Sequence, residues 1–138
     1  MIDSPKITEL LARLQTYRGE LGRLSRLSKQ ALLADPDRVG SAKYHFVVAI
    51  ECCIDIANHI VASEGYRIPA DSGDAFTVLV EERLLPAEME APLRAMARFR
   101  NRLVHLYWDV NDELVFEYLQ TSLEDFDRFA AAVAQVAD

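Results

Sequence analysis

Apolar residues return every three or four positions along almost the whole chain, the period of helices lying on a shared core. Ser4 and Pro5 supply a cap and a first-turn proline. Ile7, Leu10, Leu11, Leu14, Tyr17, Leu21, Leu24 and Leu27 then mark one face, which Gly19 and Gly22 weaken without interrupting. Asp35-Pro36-Asp37 restarts the chain into a second long helix with Tyr44, Val47, Val48, Cys52, Ile54, Ile56 and Ile60 as its apolar positions. Gly65 ends that helix, residues 66–70 form a connection, and Asp71 or Ser72 caps a short third helix through Phe76, Leu79, Val80, Leu84 and Leu85. Pro86 and Glu88 open a fourth, carrying Leu93, Met96, Ala97, Leu103 and Val104 on one face. Asn111 or Asp112 caps a fifth that runs from Leu114 to Val136. Only Asp109-Val110 separates the last two, which predicts antiparallel neighbours. The expected fold is all-α: one domain over residues 1–138, an antiparallel up-and-down bundle of four to five helices.

A chain of 138 residues suits a single core. The apolar run Phe46 to Ile50 stops at Glu51, far short of the ~20 residues that span a bilayer. The first residues lack the basic and apolar regions of a secretion signal. Cys52 and Cys53 are adjacent, a spacing suited to small packed hydrophobes and not to a disulfide or a zinc site. The expectation is a cytoplasmic protein away from membranes. A net charge of −7 argues against generic nucleic-acid affinity, but the charge is uneven. Residues 1–43 carry net +3, 44–90 net −7, 91–108 net +4 and 109–138 net −7. The one positive stretch free of carboxylates holds Arg94, Arg98, Arg100 and Arg102. These make a local positive field, or a solvated face paired with neighbouring acids.

That stretch ends in Arg100-Asn101-Arg102-Leu103-Val104-His105-Leu106-Tyr107. Arginine can neutralise a developing phosphate charge and histidine can move a proton near neutral pH, the minimum kit for cutting RNA without a metal. At 100° per residue, Arg100 falls within about 60° of Leu93, Met96, Leu103 and Val104, inside the apolar stripe. A guanidinium there needs an anion or a wet cleft, and the plain structural reading is an ion pair with Asp55. His105 lies about 140° further round, off that face. Two arrangements would unite them: a helix end near Val104 that swings His105 inward, or Arg100 of a second chain across a two-fold axis. Arg94, Arg98 and Arg102 align with His105 at three- and four-residue steps, placed to hold an RNA backbone or simply to be solvated.

These residues resemble HepT-like proteins of the HEPN superfamily, toxin halves of toxin–antitoxin pairs, whose motif is matched by Arg100, Asn101, His105 and Tyr107. Residues 49–60, 65–69, 99–105 and 123–126 resemble the family's second helix, loop, core segment and final helix, so the likeness covers residues 5 to 136. It implies a homodimeric HEPN-like bundle with a composite active cleft, and a metal-independent endoribonuclease toxin of a type VII-like pair. His105 would take the proton of a ribose 2′-OH and Arg100 would stabilise the phosphoryl oxygens, leaving a 2′,3′-cyclic phosphate and sparing DNA. Asn101 would bond the phosphate or orient the histidine. The resemblance also implies a cognate minimal nucleotidyltransferase antitoxin, a larger hetero-assembly with it as a further option, and transfer of AMP to Tyr107. No metal or other cofactor is implied.

Other candidates are weaker. Asp55 and His59 stand one turn apart, where a hydrogen bond is the simpler reading than a metal. His45 lies among apolar residues as a structural histidine would, Ser25 and Ser28 have no histidine nearby in sequence, and Trp108 suits packing or an interface better than base stacking. The competing functional reading is non-catalytic: a helical module that binds a nucleotidyltransferase and presents its substrate. A third is a plain structural bundle, with Arg100 in a salt bridge and His105 at a helix end.

Overall fold

The computed structural model describes residues 2–137 and is all-α, with seven α-helices and no strand among the described residues. Helix α1 spans Ser4–Ser25. Asp3, not Ser4, caps it: the Asp3 carboxylate accepts from the Lys6 N–H at 3.0 Å, while the Ser4 hydroxyl donates to the Ala137 carbonyl at 2.9 Å. Leu27 falls beyond its end, and a five-residue helix α2, Lys29–Leu33, follows under a Ser28 cap and buries Leu32. It is too short to show a period of its own. Helix α3, Pro36–Glu64, starts at the Asp35 cap and ends at Gly65, whose φ of +69° allows the Gly65 N–H to reach Ala62 and the Tyr66 N–H to reach Val61.

Asp71 caps α4, Ser72–Glu81. Leu84 and Leu85 lie in the turn beyond it, where Arg83 takes a left-handed φ of +61°. A 3-10 turn over Ala87–Met89 leads into α5, Glu90–His105, and a second one, Tyr107–Asp109, leads out. The expected final helix is two helices: α6, Asp112–Thr121, and α7, Leu123–Ala137, broken at Ser122. Leu119, Leu123 and Phe126 keep helical spacing across the break, so the apolar pattern does not register it.

Helix α3 is the axis of the molecule, with α1 on one side, α4 and α5 on another, and α2 and α6 near its start. By length and composition it is apolar enough to cross a bilayer, but its Val39, Ala42, Phe46, Ala49, Ile50, Cys53, Ile56, Ala57 and Ile60 are sunk inside the bundle. Tyr44, expected on that face, is 57% exposed. Phe46 meets Phe99 edge-on at 5.4 Å, and Phe99 stacks on Tyr118 at 4.0 Å. That stack is where α5 touches α6. Further on, Met89 and Leu93 at the start of α5 face Arg128 and Ala132 of α7, so α5 and the α6–α7 pair run antiparallel side by side as expected, although α4 and α5 are the more closely packed sequential pair.

Candidate functional site

Helix α5 sinks Leu93, Met96, Ala97, Phe99 and Leu103 into the core, and this face sets where its polar residues go. Arg102 and His105 occupy the last turn, where positive charge complements the exposed carbonyls. The Leu106 N–H still bonds the Arg102 carbonyl at 2.8 Å, so the helix holds through His105 before Leu106 leaves helical angles. No early turn therefore swings His105 toward Arg100 within one chain. Val104, expected in the core, is 44% exposed, because Phe99 and Leu103 take the inward positions.

Arg100 lies half-buried against α3. Its Nη2 stands 3.5 Å from Glu51 Oε2, and its Nη1 donates to Asn101 Oδ1 at 3.0 Å. Its Nε is buried with no hydrogen-bond partner among the described residues. The anion is thus Glu51, one turn before the expected Asp55. The Asp55 carboxyl is raised above the ordinary carboxylate range, first by burial and next by the charge of Glu51, with Lys6 and Arg100 opposing. A guanidinium held by one long ion pair and a neighbouring amide keeps much of its hydrogen-bonding capacity for another anion.

The other arginines separate into two groups. Arg94 is tied inward: its Nη1 donates to Thr77 Oγ1 at 2.7 Å, Thr77 donates to Glu90, and Asp74 stands 4.0 Å away. That network fastens α4 to α5 and removes Arg94 from a free basic ridge. Arg98 and Arg102 are exposed and make no ion pair among the described residues, and they line up with the exposed His105. Asn101 is exposed beside them.

Beyond His105 the surface turns apolar. Leu106 is 44% and Trp108 81% exposed, so Trp108 packs on nothing substantial within the chain. Tyr107 is half exposed, and Lys43 Nζ sits 4.4 Å from its ring centroid. Lys43 is buried and pairs with Asp112 Oδ1 at 3.2 Å. Lys43 and Glu51 are the site neighbours that sequence reasoning missed. Lys43 carried a usable signal, a charge on the apolar face between Val39, Ala42 and Phe46.

The lesser candidates settle into structural roles. His45 Nδ1 donates to the Ser41 carbonyl at 2.7 Å, and His59 Nε2 accepts from the Asp3 N–H at 3.2 Å. Both cysteines are buried free thiols; burial, with Asp55 next, pushes Cys52 up to about 11. No group of three or more metal-ligating side chains occurs among the described residues. A cleft of about 460 Å³ between the start of α5 and α7 is lined by Pro86, Met89, Leu93 and Ala132, with its Arg128 already paired to Asp125.

Comparison with known proteins gives a consistent picture. The family model described as Ribonuclease HepT-like matches residues 7–133. A Shewanella oneidensis protein named mRNA nuclease HepT is 40% identical over 79 residues, 57% of this chain and 59% of that protein. Among solved structures, the tri-AMPylated Shewanella oneidensis HEPN toxin in complex with MNT antitoxin superposes with a TM-score of 0.88 at 29% identity, over 98% of this chain and 99% of the other. A toxin–antitoxin complex with AMP-PNP gives 0.88 at 27% identity, over 95% and 98%.

Proposed function

The chain belongs to the ribonuclease HepT-like family, and from that premise we propose that it is an RNA-cutting toxin held in check by a nucleotidyltransferase antitoxin. The observation that carries the reading is the end of α5. There Arg100, Asn101 and His105 share the one positive, carboxylate-free stretch of an acidic chain, with Arg98 and Arg102 unpaired beside them. The Shewanella relatives, named as an mRNA nuclease and as an AMPylated toxin bound to its antitoxin, support the same reading.

In this mechanism two chains pair about a two-fold axis, so that Arg100 of one protomer works with His105 of the partner subunit. His105 removes the 2′-OH proton, the 2′-oxygen bonds the adjacent phosphorus, and the 5′-oxygen leaves, giving a 2′,3′-cyclic phosphate. Arg100 exchanges its long pairing with Glu51 for the phosphoryl oxygens as charge builds on them. The reaction needs no metal ion, and DNA, lacking the hydroxyl, is inert. AMP on Tyr107 adds charge and bulk beside the cleft and repels RNA. We propose the cytoplasm, where RNA and ATP are both present, as its compartment.

The test is RNA cleavage in EDTA by the purified chain, with Tyr107 shown unmodified by intact mass, beside His105→Ala. Cyclic-phosphate ends from the parent and a loss of about 10²–10³ in rate in the variant are expected. A parent that cuts none of several RNAs, with partner binding intact, would instead establish a non-catalytic module that presents a substrate to the transferase.

A further inference from the structure

Lys43 is the one charged side chain that the fold buries among the described residues, at 7% exposure. A desolvated ammonium is costly unless fixed groups compensate it. Two do so: Asp112, an exposed carboxylate in the first turn of α6, at 3.2 Å, and the ring face of Tyr107, with its centroid 4.4 Å from Nζ. The three residues come from α3, the 3-10 turn and α6, so Lys43 pins a turn that has no buried side chain of its own.

Resting on the reading of Tyr107 as the AMP acceptor, we propose that Lys43 is the positioning residue for that tyrosine and then the counter-ion of the phosphodiester formed on it. In the transfer, the Tyr107 phenolic oxygen bonds the α-phosphorus of ATP. The bond from that phosphorus to the bridging oxygen breaks, pyrophosphate leaves with the electron pair, and the phenolic proton passes to a base of the transferase. Before the step, the ammonium against the ring limits its rotation, sparing the cost of ordering a surface tyrosine. After it, a new negative charge stands beside Lys43, whose flexible stem lets Nζ turn from Asp112 to the phosphate oxygens. Modification is then felt at the start of α6 as the release of Asp112.

The experiment follows nucleotidyl transfer onto the full-length chain by its cognate transferase with ATP, read by intact mass for the parent, Lys43→Met and Lys43→Arg. Met keeps the aliphatic stem without the charge and Arg restores the charge. A fall of about tenfold or more in kcat/KM for Lys43→Met, carried in kcat and largely recovered in Lys43→Arg, is expected. A second readout is the Tm lost on Asp112→Asn, which should be large in the unmodified protein and small once AMP is attached. Equal transfer rates in parent and Lys43→Met, or equal Tm losses in both states, would overturn the role of Lys43 while leaving Tyr107 as acceptor. A parent that acquires AMP elsewhere or not at all would sink both readings.

Discussion

Charge placed on an apolar face singles out Arg100 and Lys43, and a third cation, Arg67, lies in the exposed connection after α3. Arg100, Lys43 and Arg67 each gather partners from another segment, yet they differ in how tightly they are held. Arg67 is fully engaged, forked between Asp74 at 2.7 Å and Glu81 at 2.8 Å, and it locks the 66–71 connection onto α4. The Arg67 guanidinium, joined by the Ala70 N–H, holds the Asp74 carboxyl well below the usual carboxylate range. A depressed carboxyl stabilises the fold above its unfolded value near ~4, and that contribution is lost as pH falls toward the folded value. Arg67→Ala should therefore lower Tm at pH 7, and the gap to the parent should close progressively below about pH 4 in a thermal melt series. Arg100, by contrast, has one long ion pair and an unsatisfied Nε, the looser grip that the proposed exchange onto a phosphoryl oxygen requires.

At the level of elements, stops matter as much as periods. Helix α3 ends because Gly65 can turn left-handed, which lets its N–H and that of Tyr66 close on the last turn. Gly65→Ala should cost about 1–2 kcal/mol in denaturant unfolding, the penalty of a side chain in that conformation. This stop was legible in the sequence, as were the long amphipathic runs and a cap narrowed to Asp71 or Ser72, because each depends on neighbours a few positions away. The break at Ser122 was not, since the apolar spacing crosses it unchanged. The site shows the same division. Periodicity put Arg100 on the inward face and His105 off it, but the choice of Glu51 over Asp55, one turn apart on α3, depends on how α5 slides along α3. The tying of Arg94 into the Thr77–Glu90 network and the approach of Lys43 to Tyr107 likewise require the packed bundle.

For the whole molecule, the apolar shoulder of Val104, Leu106 and Trp108 beside a basic ridge is the surface on which the proposed composite cleft would bring two copies together. Trp108→Glu should raise the dimer dissociation constant about 30-fold in sedimentation, the weight of an interface aromatic worth ~2 kcal/mol, and RNA cleavage should fall with dimer occupancy. The same bundle also has an order in time. Helix α1 packs on α7 as well as α3, and the Ser4 hydroxyl reaches the Ala137 carbonyl. During synthesis at about 5–20 residues per second, α3 is out of the ribosome seconds before α7 exists. Throughout that interval Leu11 and Leu14 face water where Phe126 and Ala130 will sit. The α5 motif precedes α7 in the chain, so Arg100 and His105 leave the ribosome on a bundle that still lacks the support of its last helix.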